Sequence, residues 1–204
     1  MSKYRNEEEA LVGLARQLAD ACREAGSDED MEYAADAVDD FLHDNDTHAP
    51  AGALIALLDL PMNKFTWPLV DSVEETLIAR GWEVVEPLLA AAEGRVYDLA
   101  GPVSKRARET LDGLPAGKLI FGLVDVLRGT GDDDLKRAAV HELVAMGETA
   151  EPALLEALDH PVARRWAQDA LGDLKAAREE TRMREDLERA AMGDDRVGGR
   201  TGDD

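Results

Sequence analysis

Metal, acyl-transfer and phosphate chemistry each demand their own set of side chains, and this sequence offers few of them. The histidines are His43, His48, His141 and His160. His141 and Glu142 stand side by side, and iron or zinc sites need several such groups converging from facing helices. No second His-Glu pair accompanies this one, and the stretches around Glu75 and Glu109 carry no histidine. The pair also lacks the second histidine, four residues on from the first, of a zinc-protease helix. There is no Gly-x-Ser-x-Gly elbow and no phosphate-binding loop. Cys22, the lone cysteine, lies beside Leu18 on an apolar face, which reads as packing rather than a reactive thiol. It also excludes an intramolecular disulfide framework. The reading is a non-enzyme with no catalytic residue, no metal and no cofactor.

Binding chemistry has a firmer foothold. Lys105, Arg106 and Arg108 cluster at the start of one helical stretch. Lys136-Arg137 and Arg164-Arg165 occupy comparable places in later stretches. Helices stacked in parallel bring such pairs to one ridge, where an anionic or acidic partner can dock. The contact candidates are Arg106, Lys136, Arg137, Arg164, Arg165 and Trp166. Trp67, Trp82 and Trp166 read as large anchors of the core or of helix seams.

The charge limits the partner. The 204 residues hold 44 acids against 23 bases, a net charge of −21. That argues against a phosphate-backbone binder, which needs a broad basic footprint. Residues 1–48 carry 14 acids and 4 bases, whereas residues 102–175 carry 13 and 10. The ridge candidates thus lie in the better-balanced part. The acidity admits two explanations: a surface made for a basic partner, or adaptation to a salt-accumulating host, with 24 aspartates and only 6 lysines. The opening MSKYRNEEEA has no apolar signal segment. The longest apolar run, Ala49 to Leu58, is far short of the about 18 residues of a spanning helix. A cytoplasmic protein with no membrane insertion is expected.

What must position these residues is helical. Apolar side chains recur at i, i+3/4 and i+7, and convincing period-2 runs are absent. The spacing predicts helices over 6–24, 30–43, 50–59, 68–80, 82–93, 102–113, 115–128, 134–146, 148–158 and 161–175. The last continues to about Ala191 as a charged helix. A turn around Val96 to Leu99 joins two of them. Gly81, Gly94, Gly113, Gly147 and Gly172 read as helix stops, and Pro50, Pro115 and Pro161 as helix starts. The organisation expected is an acidic helical cap over 1–48, a repeat array over 49–175, a charged helix over 176–191 and a disordered tail over 192–204.

The array repeats internally. LIARGWEVVEPLLAAAEG at 77–94 aligns with LVAMGETAEPALLEALDH at 143–160, given a one-residue gap after Gly147. KRARETL at 105–111 echoes KRAAVHEL at 136–143. A lone helix pair cannot bury both faces, so successive pairs must cover one another. The pairs expected are 50–59 with 68–80, 82–93 with 102–113, 115–128 with 134–146, and 148–158 with 161–175. Helices 6–24 and 30–43 form the capping pair.

MGETAEPALLEALDHPVARRWAQDALGDL, residues 146–174, resembles a HEAT repeat of the short type also seen in phycobilisome-lyase-like proteins. Gly147, Ala150, Pro152, Leu154, Leu158, Asp159, Val162, Arg164, Ala170, Leu171 and Gly172 carry the likeness. It is best over 132–174 and fair over 68–131. The resemblance implies an all-α, α–α superhelix of about four to five helix pairs. It also implies a ladder of turn aspartates and following arginines, with Asp134 to Lys136 or Arg137, and Asp159 to Arg164, as rungs. The function it implies is a non-catalytic scaffold or adaptor that binds another protein. HEAT-like enzymes set the alternatives, a lyase or a DNA-alkylation-repair-type glycosylase. The HEAT-like hydroxylases that hold two irons through repeated His-Glu pairs are disfavoured, because this sequence has one such pair. A structural subunit of a larger assembly is the third class.

Overall fold

A computed structural model describes residues 2–45, 49–95 and 102–194, and all the regular structure among them is helical. The helices are α1 (Ser2–Glu24), α2 (Asp28–Asn45), α3 (Ala51–Leu57), α4 (Trp67–Arg80), α5 (Val85–Ala92), α6 (Pro102–Gly113), α7 (Ala116–Arg128), α8 (Asp133–Ala145), α9 (Glu151–Ala157) and α10 (Arg164–Asp194). Two 3-10 turns, Gly81–Val84 and Gly147–Thr149, lead into α5 and α9. Among the described residues no helix is long and apolar enough to cross a membrane. The expected turn at 96–99 and the tail from 195 onward lie outside the described residues. α10 itself runs past 191 to Asp194.

Each expected pair is in contact: α1 with α2, α3 with α4, α5 with α6, α7 with α8, and α9 with α10. Contacts also join the first members in a row, α1–α3–α5–α7–α9. Among the second members, α2 touches α4, α4 touches α6, and α8 touches α10. One apolar core runs through both rows, from Ala15 and Cys22 to Leu174, with Leu54, Leu88, Leu123, Leu143 and Leu154 fully buried.

The glycine stops divide into two kinds. Gly81 and Gly147 adopt φ of +72° and +64°, a left-handed geometry that glycine adopts without steric cost. Both open a 3-10 turn, four residues long after α4 and three after α8. α5 and α9 both begin four residues after their glycine, so the one-residue gap falls inside the helices: Glu86-Pro87 are the second and third residues of α5, and Glu151-Pro152 the first and second of α9. Gly172 behaves otherwise. It lies exposed inside α10 and stops nothing, because buried Ala170 and Leu174 carry the helix past it.

The structure brings out another repeat, a hundred residues apart. ALIALLDLP at 53–61 and ALLEALDHP at 153–161 end α3 and α9 in the same way. Leu58, Asp59 and Leu60 donate to the carbonyls of Ile55, Ala56 and Leu57, and Leu158, Asp159 and His160 donate to those of Leu155, Glu156 and Ala157. These tightened i→i+3 bonds finish the helix, and Pro61 or Pro161 forbids its continuation. The last carbonyls then need donors from elsewhere.

Candidate functional site

Those donors are two of the expected ridge residues. Arg106 of α6 donates from Nη1 to the carbonyls of Leu58 (2.5 Å) and Leu60 (2.8 Å). Arg164 donates from Nε to the carbonyl of Leu158 at 2.9 Å. Each arginine completes the exit of a short helix, where a cation also meets the negative end of the helix dipole. Arg164 therefore turns to a backbone carbonyl, and its expected rung to Asp159 is not formed. Lys136 is only 5% exposed, so it does not offer its charge as a ridge residue would. A run of bases in sequence does not distinguish a helix seam from a helix crest, and here it spans both.

The remaining three candidates come together. Arg137, Arg165 and Trp166 line a groove of about 340 Å³ between α8 and α10, with Val140, His141, Val144, Asp169 and Asp173. The period of the helix sets this grouping. Arg137, Val140 or His141, and Val144 are successive turns of α8, while Arg165, Asp169 and Asp173 are successive turns of α10. Trp166 is buried to 8% exposure beside the valines, and the Arg165 guanidinium lies over its ring at 5.3 Å. Arg137 and Arg165 are exposed. Arg137 pairs with Asp134 one turn back on its own helix, so this rung is formed within α8. Arg165 stands 4.0 Å from Asp169. The groove thus has guanidinium groups, an apolar floor and carboxylates within one span.

A second depression, of about 640 Å³, adjoins it between α6 and α8 and shares Arg137 and His141. Ion pairs line it. Arg108 bridges Glu93 and Glu142, and Arg95 reaches Asp132 (2.6 Å) and Asp134 (3.2 Å). Asp132 also accepts the backbone N–H of Asp134 at 3.0 Å and so caps α8. Its carboxyl is held below the usual range, first by that N–H and, outweighing a desolvation effect, by Arg95 as well. Removing it is expected to lower the thermal midpoint by a few degrees at neutral pH. A carboxylate with a depressed folded value stabilises above its unfolded value and loses that contribution as pH falls through the folded one. The gap between Asp132→Ala and the parent should therefore close on acidification, which melting curves at several pH values will check.

The other chemical candidates are His141, which borders both depressions, and Cys22. His141 is 85% exposed, with Nδ1 3.9 Å from Glu142. Among the described residues no group of three or more His, Cys, Asp or Glu side chains is placed to hold a metal ion. Cys22 is buried, and desolvation pushes its thiol up, away from a reactive thiolate. Trp67 and Trp82 are exposed to 54% and 42%, so of the three tryptophans only Trp166 anchors a seam. Val140, Val144, Asp169 and Asp173 escaped the sequence reading, although their spacing from Arg137 and Arg165 carried the signal.

No protein-family model, curated protein or solved structure matches the chain.

Proposed function

We propose that the chain is a non-catalytic scaffold or adaptor acting in the cytoplasm. It is a HEAT-like α–α superhelix of four to five helix pairs that binds another protein across the faces of α8 and α10. One observation carries this reading: exposed Arg137 and Arg165 flank an apolar floor of Val140, Val144 and Trp166, with Asp169 and Asp173 in the same groove. Both helices are packed into the core, so the groove exists before the partner arrives. A preformed surface lowers the ordering cost of binding. The chemistry suits a partner segment with an acidic side chain for the arginines, an apolar side chain for the floor and a basic one for the aspartates. The two rows of helix contacts and the echo of 77–94 in 143–160 support the superhelix.

The test is affinity capture from the native host at host-like ionic strength, with the captured protein identified by mass spectrometry. Arg137→Glu/Arg165→Glu is expected to weaken that partner at least about tenfold, or about 1.4 kcal/mol. Its far-UV circular dichroism should remain that of the parent, since both side chains are exposed. Undiminished capture by the double variant would overturn the assignment of the groove.

A further inference from the structure

Trp82 has the spacing of a core anchor, yet nearly half of it faces solvent. Beside it stands Phe121 of α7, 48% exposed. Phe121 lies off the buried stripe of that helix, which Ile120, Leu123, Val124 and Leu127 form. The two rings meet edge to face, with centroids 5.2 Å apart and planes at 74°. Single exposed apolar residues are ordinary, but two aromatic rings in contact across separate elements make a patch. Their supports are rigid. A Cβ on Gly122 would fall 2.5 Å from Val85 and 2.9 Å from the Trp82 carbonyl oxygen, so α7 lies against the 3-10 turn at backbone distance. Neither ring lines the groove between α8 and α10.

The surrounding charge selects the occupant. Glu83 and Glu86 follow Trp82 within about one helical turn, and Asp125 follows Phe121 by one turn of α7. All three carboxylates are exposed. The neighbouring cation is Lys118, whose stem crosses Gly81. We infer that Trp82 and Phe121 anchor a second docking surface, and that it receives a basic amphipathic helix from a partner protein. The apolar face of that helix covers the two rings, and its lysines or arginines reach Glu83, Glu86 and Asp125. The same charge disfavours other occupants. A second copy of this chain also carries −21, and an anionic lipid surface is repelled as well.

The probe is a synthetic Leu/Lys peptide patterned as an amphipathic helix, titrated calorimetrically into the full chain. A Leu/Glu peptide of the same pattern and a scrambled Leu/Lys peptide serve as references. The patterned Leu/Lys peptide should bind, more weakly as salt rises, and the two references should not. Phe121→Ser should reduce affinity at least about tenfold while the thermal midpoint stays near the parent value. Asp125→Lys should reduce it too, with the rings intact. Equal affinity of parent and Phe121→Ser, or equal binding of the scrambled peptide, overturns the inference. So does self-association in sedimentation, or binding to anionic phosphatidylserine vesicles, that Phe121→Ser abolishes.

Discussion

Gly122→Ala is expected to destabilise the protein, by a net of about 1–3 kcal/mol, although alanine is the better helix former. Gly122 lies in the middle of α7, where alanine in place of glycine is worth about 1 kcal/mol in an isolated helix. Packing reverses that sign. The new methyl would sit 2.5 Å from both Cβ and Cγ2 of Val85, which is fully buried and stiff at χ1. Its next neighbour is the backbone carbonyl of Trp82 at 2.9 Å, which cannot rotate away. Relief requires α7 to move off the 3-10 turn, opening the core along Leu123 and Leu127. Gly117→Ala is the internal reference: it lies on the same helix with nothing within 4 Å of its Cβ position. It should leave the urea midpoint unchanged or raised. Val85→Ala combined with Gly122→Ala should cost less than the sum of the two single changes, because each gives the other room. A Gly122→Ala midpoint at or above the parent value would show that α7 is free to shift.

The sequence shows this close approach only as a glycine in an apolar stripe, which points equally to a weak helix. What it displays well is periodic. Helices appear where leucines and alanines recur at 3.6-residue spacing, and α7 and α8 fall within about a residue of their expected bounds. Bounds slip where local backbone chemistry competes with period. Residues 81–84 and 147–149 form 3-10 turns, each opened by a glycine with a positive φ, and α10 starts at Arg164 because Pro161 only opens a turn. Side-chain roles were less legible than helices. Arg106 and Arg165 look alike in a string of letters, as does Lys136. Their fates differ by what each meets: Arg106 reaches the carbonyls of Leu58 and Leu60, 48 and 46 residues back, Arg165 lies over Trp166 and near Asp169 on its own helix, and Lys136 is buried. Arg137, Arg165 and Trp166 converge because α8 touches α10, a tertiary fact. Trp82 and Phe121 were hidden for the opposite reason: aromatic residues in a helical repeat suggest burial, and here they remain in solvent.

Arg106→Ala should be the costliest of the ridge substitutions, and for a reason unrelated to any partner. The guanidinium holds two carbonyls, of Leu58 and Leu60, at the exit of α3, and both residues are essentially buried. Removing it leaves two acceptors short of a donor, an expected loss of about 2–3 kcal/mol. Lysine is a poor substitute, since an ammonium lacks the planar fork of a guanidinium. Arg164→Ala at the exit of α9 breaks one bond at an exposed site and should cost less than about 1 kcal/mol. The loss at Arg106 should also depend on pH. Asp59 and Glu74 are both raised, chiefly by burial, and Arg106 opposes that rise in each. Without it both carboxyls climb further. A carboxyl with a raised folded value binds its proton more readily in the native state, so native stability falls as pH rises from the unfolded value through the folded one. Arg106→Ala widens that window, and its penalty should be larger at pH 7 than near pH 4. Urea unfolding of the variant and the parent at both values decides it: a penalty independent of pH removes the coupling to Asp59 and Glu74. The same measurement protects the binding experiments. A partner lost on changing Arg106 reports the collapse of the α3 exit, whereas one lost on changing Arg137 or Arg165, with the melting curve unmoved, reports the groove itself.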